Sequence, residues 1–307
     1  VIFFADNIAS RSQLHAVAAQ LDAAAEASPV KAPLLLMTDQ EGGEVRRLPG
    51  APVPSAKQIG ASAHPVSAAR AAGRAAAKNL LAAGLDVNLA PVLDVYRAAG
   101  NFIDEFGRSF GMDPAVVGRL GAAFLHAEQA AGVASTAKHF PGLGAATRSQ
   151  DTDARPVTLR LSRHAIRTVD ERPYASAIAA GVKLVMLSWA RYPALSGQRP
   201  AGLSKAIVQG ELRRRLGFKG VTITDALEAG ALRGYGGTGA RAVKAARAGM
   251  DLVLCASGDP AQGGAAVDAL ASAFKQGRLG ATAFARAANR VLALRGVPDR
   301  GVAPTSS

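Results

Sequence analysis

Short apolar runs alternate along this chain with longer segments in which alanine, leucine and valine recur every three or four residues. The runs fall at 1–4, 34–38, 85–89, 134–138, 184–188, 221–224 and 252–255. Several are continuous rather than alternating, as expected of strands covered on both faces. Between them the 3.6-residue period predicts helices near 11–27, 66–83, 113–131, 162–180, 204–216 and 239–249, with two more near 260–276 and 281–296. Strand and helix in strict alternation predict an α/β fold with a parallel sheet. Seven strands are visible where a (β/α)8 barrel needs one more. Either the sheet is open, or the barrel starts upstream of Val1.

Composition narrows this picture without changing it. With 307 residues, 49% hydrophobic and 19% charged, the chain can bury a sizeable core and is too apolar for disorder. No Pro/Gly/Ser-rich linker or internal repeat divides it, so one domain over 1–297 with a disordered tail at 298–307 is the economical expectation. Only 5% is aromatic, so the core must be built from Ala, Val and Leu. Cys255 is the only cysteine, which excludes an internal disulfide and a cysteine-based metal site. No apolar run approaches the roughly 18 residues of a membrane helix.

The net charge of +13 raises nucleic acid, anionic lipid or an anionic cell-wall polymer as partners. The basic residues are scattered, however. The densest cluster, Arg213-Arg214-Arg215, reads as a solvated helix end, and without aromatic stacking residues beside it no nucleic-acid partner is expected.

Polar chemistry gathers where the apolar runs stop. The run at 34–38 leads into Asp39-Gln40-Glu41-Gly42-Gly43, two carboxylates and an amide on a glycine-permitted turn. Asp94 follows the run at 85–89, Lys138-His139 ends the run at 134–138, and Asp225 follows that at 221–224. These are the strand ends at which α/β barrels keep their chemistry. Arg108 stands in the Gly-rich stretch between the aromatics Phe106 and Phe110. Bland readings compete: Asp225 as a helix N-cap, Asp39 as a turn-former, His139 as a satisfied core histidine, Arg108 as a surface residue. Lys138 is the hardest to explain by packing, because lysine is seldom buried unless paired. His15, His64, His126 and His164 lack partner spacing, no metal is expected, and Gly234 to Gly239 reads as a flexible loop.

Five motifs in order, DQEGGEVRRL at 39–48, APVLDV at 90–95, GRSFGMDP at 107–114, KHFPGLG at 138–144 and GFKGVTITDAL at 217–227, resemble glycoside hydrolase family 3. The similarity is closest to its bacterial β-N-acetylglucosaminidases, the β-N-acetylhexosaminidases. The resemblance implies a TIM-type (β/α)8 barrel whose first strand and helix precede the segment VIFFADNI, so this chain is expected to lack them, to leave two sheet edges open, and to be less stable than an upstream-extended form. Any export signal or lipid-attachment cysteine would lie in that upstream part. Compartment is therefore open, with a secreted or lipid-anchored bacterial protein preferred.

The resemblance further implies a retaining exo-β-glycosidase that needs no cofactor and acts as a monomer on a carbohydrate, preferably an N-acetylglucosamine-containing one from cell wall or chitin. Asp225 would be the nucleophile, Asp39, Arg108, Lys138 and His139 would grip sugar hydroxyls, and Lys138 and Arg108 would hold Asp225 ionised. The chain departs from the family pattern after Gly144. Leu143 replaces a histidine of KHFPGHG, and Ser149-Gln150-Asp151 stands where Asp-Ser-His supplies the general acid/base. Asp151 or Asp153 could take that role if burial raises its pKa. The alternatives are a sugar-binding barrel that has lost efficient protonation of the leaving group, and a β-glucosidase or β-xylosidase.

Overall fold

A computed structural model describes residues 1–296. The strands are β1 (Met37–Thr38), β2 (Gln40–Gly42), β3 (Val45–Arg46), β4 (Val87–Asn88), β5 (Ala134–Phe140), β6 (Leu184–Leu187), β7 (Val221–Ala226) and β8 (Leu252–Leu254). Six of them form one parallel sheet in the order β1-β4-β5-β6-β7-β8. Ile2 adds a parallel bridge to Met37, so all seven expected strand positions take their places side by side in chain order. Among the described residues no ladder joins β8 back to 1–4. The expected tail at 298–307 lies outside the described residues.

The sheet is covered by the expected helices, among them Arg11–Ala27, Pro65–Leu81, Pro114–Ala130, Thr238–Ala248, Pro260–Lys275 and Ala281–Leu294. Their starts are legible chemically. Asp113 accepts hydrogen bonds from the amides of Ala115 and Val116 ahead of Pro114, and Asp259 caps Ala261 ahead of Pro260. An aspartate that satisfies orphan amides, followed by a proline that has none to lose, begins a helix at low cost. The stretch expected as one helix over 162–180 is broken into Arg163–Ala165, a π-helical turn Ile166–Asp170 and Arg172–Ala179, with Pro173 inside it.

Burial alternates along the strands. Leu184 and Met186 of β6 join Met37, Val87, Leu89, Val221, Ile223 and Leu254 in a cluster inside the curl of the sheet. Val185 and Leu187 face the other way, into the larger core beneath the helices. The period of two thus fills both layers from one continuous apolar run.

At the N-terminal ends of the strands, helix Ala281–Leu294 lays Val291 and Leu294 against the inner cluster. Arg290 fixes it by a two-pronged contact with Asp251, 2.6 and 3.0 Å, and Arg295 donates to the carbonyls of Ala32 and Pro33. Within the basic cluster at 213–215, Arg214 is exposed as expected of a solvated helix end, whereas Arg213 and Arg215 depart from that expectation. The Arg213 side chain is only 11% exposed and pairs with the same Asp251 at 2.6 Å, while Arg215 pairs with Glu211 and Glu171. These cations neutralise buried carboxylates.

Candidate active site

The C-terminal ends of the strands carry two assemblies, one buried and one at the surface. The buried one starts from the extended backbone just beyond β1. Residues two apart on an extended chain point to one side. Asp39 and Glu41 both meet Lys138 Nζ, at 2.6 and 2.7 Å, whereas Gln40 between them turns away. Its amide binds the carbonyls of Leu48 and Ala51 at 3.1 and 2.9 Å and pins the loop beneath. Gly42 and Gly43, with φ of 109° and 59°, turn the chain into the small antiparallel hairpin β2–β3, which the sequence showed only as a tight turn. A Cβ on Gly42 would lie 2.4 Å from the carbonyl oxygen of Pro54.

Arg108 comes from the loop after Asp94 and grips Glu41 with two prongs, Nη2 to Oε1 at 2.8 Å and Nε to Oε2 at 3.0 Å. Burial opposes ionisation of Glu41. The charges of Arg108 and Lys138 and their hydrogen bonds outweigh it and hold the carboxyl at about 2. Burial likewise opposes the charge on Lys138, but Asp39 and Glu41 prevail and raise its pKa. Asp39, Glu41, Arg108 and Lys138 are thus one ion-paired cluster whose geometry is set by its own contacts. Glu41 is the member that sequence reasoning left without a role, although its i,i+2 relation to Asp39 was readable.

His139 sits beside this cluster, and the Lys138–His139 peptide is cis. Its ring is held by Asp94, Nδ1 to Oδ2 at 2.8 Å. The other oxygen of Asp94 accepts from the amides of His139 at 3.3 Å and Leu143 at 2.7 Å. Asp94, fully buried, therefore organises the whole KHFPGLG turn, helped by Tyr192, whose hydroxyl donates to the Gly142 carbonyl at 2.8 Å. Leu143, in place of the family's histidine, is buried in the main core.

Asp225 lies within β7, one residue before its end, rather than at a helix N-cap; the next long helix starts only at Thr238. Half-buried, it accepts from the Ala226 amide through Oδ1 at 2.8 Å. The direct ion pairs of Lys138 and Arg108 are with Asp39 and Glu41.

The surface assembly is the segment 145–155. It folds over the rim and docks beyond β7: the Gly230 amide donates to the Asp153 carbonyl at 2.7 Å and the Ala231 amide to the Thr152 carbonyl at 2.9 Å. A Cβ on Gly230 would stand 2.3 Å from the Ala154 carbonyl oxygen, so close docking requires glycine there. Asp151 spends one oxygen on the Asp153 amide at 2.8 Å, making the turn. The Asp153 carboxylate accepts no hydrogen bond from the described residues. Burial by the surrounding atoms, then the negative charges of Asp225 and Asp151, raise its pKa to about 6, against a pull downward from His139 and Arg108. Asp153 is exposed to solvent, so the negative charges of Asp225 and Asp151, rather than burial, carry the upward direction.

A parallel α/β sheet with a preformed cluster of Asp, Glu, Arg, Lys and His at its C-terminal rim, and two further carboxylates, Asp225 and Asp153, close enough there to feel one another's charge, fits a carbohydrate-processing barrel. The model of the family described as "Glycosyl hydrolase family 3 N terminal domain" matches residues 1–294, and the chain belongs to that family. It is 49% identical over 297 residues, 96% of this chain and 84% of the relative, to an "Uncharacterized secreted glycosyl hydrolase" of Arthroderma benhamiae. To a "Beta-hexosaminidase" of Stenotrophomonas maltophilia it is 36% identical, covering 83% of this chain and 75% of that one.

Among solved structures it superposes on a glycoside hydrolase family 3 beta-N-acetylglucosaminidase from Paenibacillus sp. str. FPU-7 with a TM-score of 0.88 and 36% identity, over 100% of this chain. The chain spans 58% of the length of that structure. The expected TIM-type barrel class is therefore the fold observed. No helix of the described residues is long and apolar enough to cross a membrane, and among them no cluster of three His, Cys, Asp or Glu could hold a metal ion.

Proposed function

We propose that this chain is a retaining exo-β-glycosidase, a single catalytic domain over 1–297 acting as a monomer, and that it removes a terminal N-acetylhexosamine from cell-wall or chitin-derived sugars. The names of the relatives support the sugar class. The observation that carries the mechanism is the docking of 151–155 onto Gly230 and Ala231, which brings Asp153 within the field of Asp225.

In the first step a carboxylate oxygen of Asp225 attacks the anomeric carbon while the protonated Asp153 gives its proton to the departing glycosidic oxygen. In the second, Asp153, now a carboxylate, takes a proton from water, and the hydroxide equivalent displaces Asp225 from the sugar. Asp39 bridges ring hydroxyls and Lys138, Arg108 and His139 donate to them, fixing the ring for attack. Asp153 is assigned the acid/base role over Asp151, because Asp151 has an oxygen committed to the turn.

A carboxylic acid near 6 is protonated often enough at neutral pH to act, and its protonated fraction falls as pH rises. Turnover of a disaccharide should therefore decline through about pH 6, while an aryl glycoside with a good leaving group depends less on that limb. Asp225→Ala should abolish turnover of both substrates. Asp153→Asn should cost about 10²- to 10⁴-fold on the disaccharide and much less on the aryl substrate, with Asp151→Asn milder. Survival of full turnover in Asp225→Ala would sink the glycosidase reading. Tight sugar binding without disaccharide turnover by the unaltered protein would point instead to a sugar-binding barrel.

A further inference from the structure

Trp189 is the only tryptophan of the chain, and it is completely buried. It lies two residues beyond β6, in the layer directly beneath the rim. Its indole crosses to the neighbouring strand, where Nε1–H donates to the Ala226 carbonyl at 2.8 Å. Ala226 immediately follows Asp225, and it does so at an irregular place. The pairing of β7 with β8 shifts register between Ile223 and Ala226, so the ladder does not fix the residue that bears the carboxylate. The Leu227 amide resumes contact with β8 through the Leu254 carbonyl at 2.9 Å.

Ala226 is thus held on two sides. Its amide donates to Asp225 Oδ1 at 2.8 Å, and its carbonyl accepts from the indole at 2.8 Å and from the Ala229 amide at 3.2 Å. The indole itself cannot swing. Gly202 closes one of its faces so tightly that an added Cβ would stand 2.6 Å from Cζ3, and the Gly202 amide is tied to the Ser188 carbonyl at 3.2 Å, one residue before the tryptophan. A donor that is buried, unable to rotate and aimed at the backbone beside a reacting carboxylate sets where that carboxylate points.

We infer that Trp189 is a positioning residue for Asp225: its indole N–H, beside the Ala229 amide, anchors the Ala226 carbonyl next to the register shift and orients the nucleophile for attack on the anomeric carbon. The inference rests on the reading of Asp225 as nucleophile, and the test separates the two. Trp189→Phe keeps an aromatic filler and removes the N–H. Its kcat on both aryl glycoside and disaccharide should fall about 10- to 100-fold, because small misplacements of a reacting group are costly, while KM stays within about two-fold, since the grip residues are untouched.

A packing role alone would lower the urea midpoint and leave kcat in place. Wild-type kcat in folded Trp189→Phe overturns the inference even when Asp225→Ala is inactive; activity in Asp225→Ala overturns the parent reading instead. A second measurement needs no tryptophan variant. A 5-fluoro glycosyl fluoride, from which Asp225 displaces fluoride to leave a long-lived glycosyl–enzyme bond, should shift the fluorescence of the unaltered protein, whose sole emitter of this kind is Trp189, and should leave that of Asp225→Ala unchanged. Unaltered emission on stoichiometric trapping overturns the inference as well.

Discussion

The buried ion-paired cluster proposed to grip the sugar and the segment proposed to bear the acid stand on the same rim and are built on opposite principles. Asp39, Glu41, Arg108 and Lys138 are locked by charge-assisted contacts of 2.6 to 3.0 Å, with the Lys138 and Glu41 side chains only 2% and 5% exposed. Segment 145–155 is attached through backbone hydrogen bonds to Gly230 and Ala231 and an exposed pair between Arg148 and Glu105. On the proposed reading, recognition is preformed and proton delivery is docked from outside. Such separation would let the acid change chemically, from a histidine to an aspartate, without disturbing the fold beneath it. The buried cluster has no such freedom, since each member neutralises another.

The sharpest way to break the contrast is to remove one member from each side. Lys138→Met should destabilise the protein by about 3–5 kcal/mol in urea unfolding, because it leaves Asp39 and Glu41 less than fully compensated in a buried setting. A loss below about 1 kcal/mol would show the cluster to be looser than its distances imply. Gly230→Ala acts on the other side, forcing a Cβ against the Ala154 carbonyl. It should lower kcat on a disaccharide about ten-fold through displacement of Asp153, with KM little changed.

A third test probes the floor of the gripping cluster. The Asn88 side chain donates to the Gln40 carbonyl and to Glu128. Burial is the main cause that pushes the Glu128 carboxyl from 4.5 up to about 8, against hydrogen bonds from Ser135 and Asn88. A folded state that keeps a proton the unfolded chain releases is most stable below about 4.5 and loses that stability as pH rises towards 8. Glu128→Gln should flatten the fall in melting temperature over that interval; an unchanged slope refutes the assignment. The smallest effect belongs to Arg148→Ala. Its exposed pair with Glu105 should matter less than the backbone docking, leaving turnover within about two-fold.

Much of this was legible in the residues because the signals were periodic or local. Seven apolar runs located the strands, and the 3.6-residue period located the helices near 113–131 and 260–276. Lys138 betrayed itself as a buried cation that needed partners. Partner identity was the part that periodicity could not supply. Glu41 looked like a second turn residue until the hairpin showed it on the same side as Asp39, and Arg213 looked solvated until Asp251 was found beneath it. Asp153 posed a different difficulty. Its environment depends on Gly230, 77 positions later, and nothing local to AATRSQDTD says where that loop comes to rest. Trp189 belongs to no motif at all, and only its reach across to β7 gives it meaning.

The helix Ala281–Leu294 has a kinetic side. Arg295 reaches the carbonyls of Ala32 and Pro33 across 263 and 262 positions of sequence, and Val291 and Leu294 cap the inner cluster. Contacts of such long range form late, after most loop-closure entropy has been lost. During synthesis on the ribosome the part of the inner face contributed by β7 lacks this cover until the helix emerges. The interval is one in which the nascent chain is open to chaperones or to aggregation.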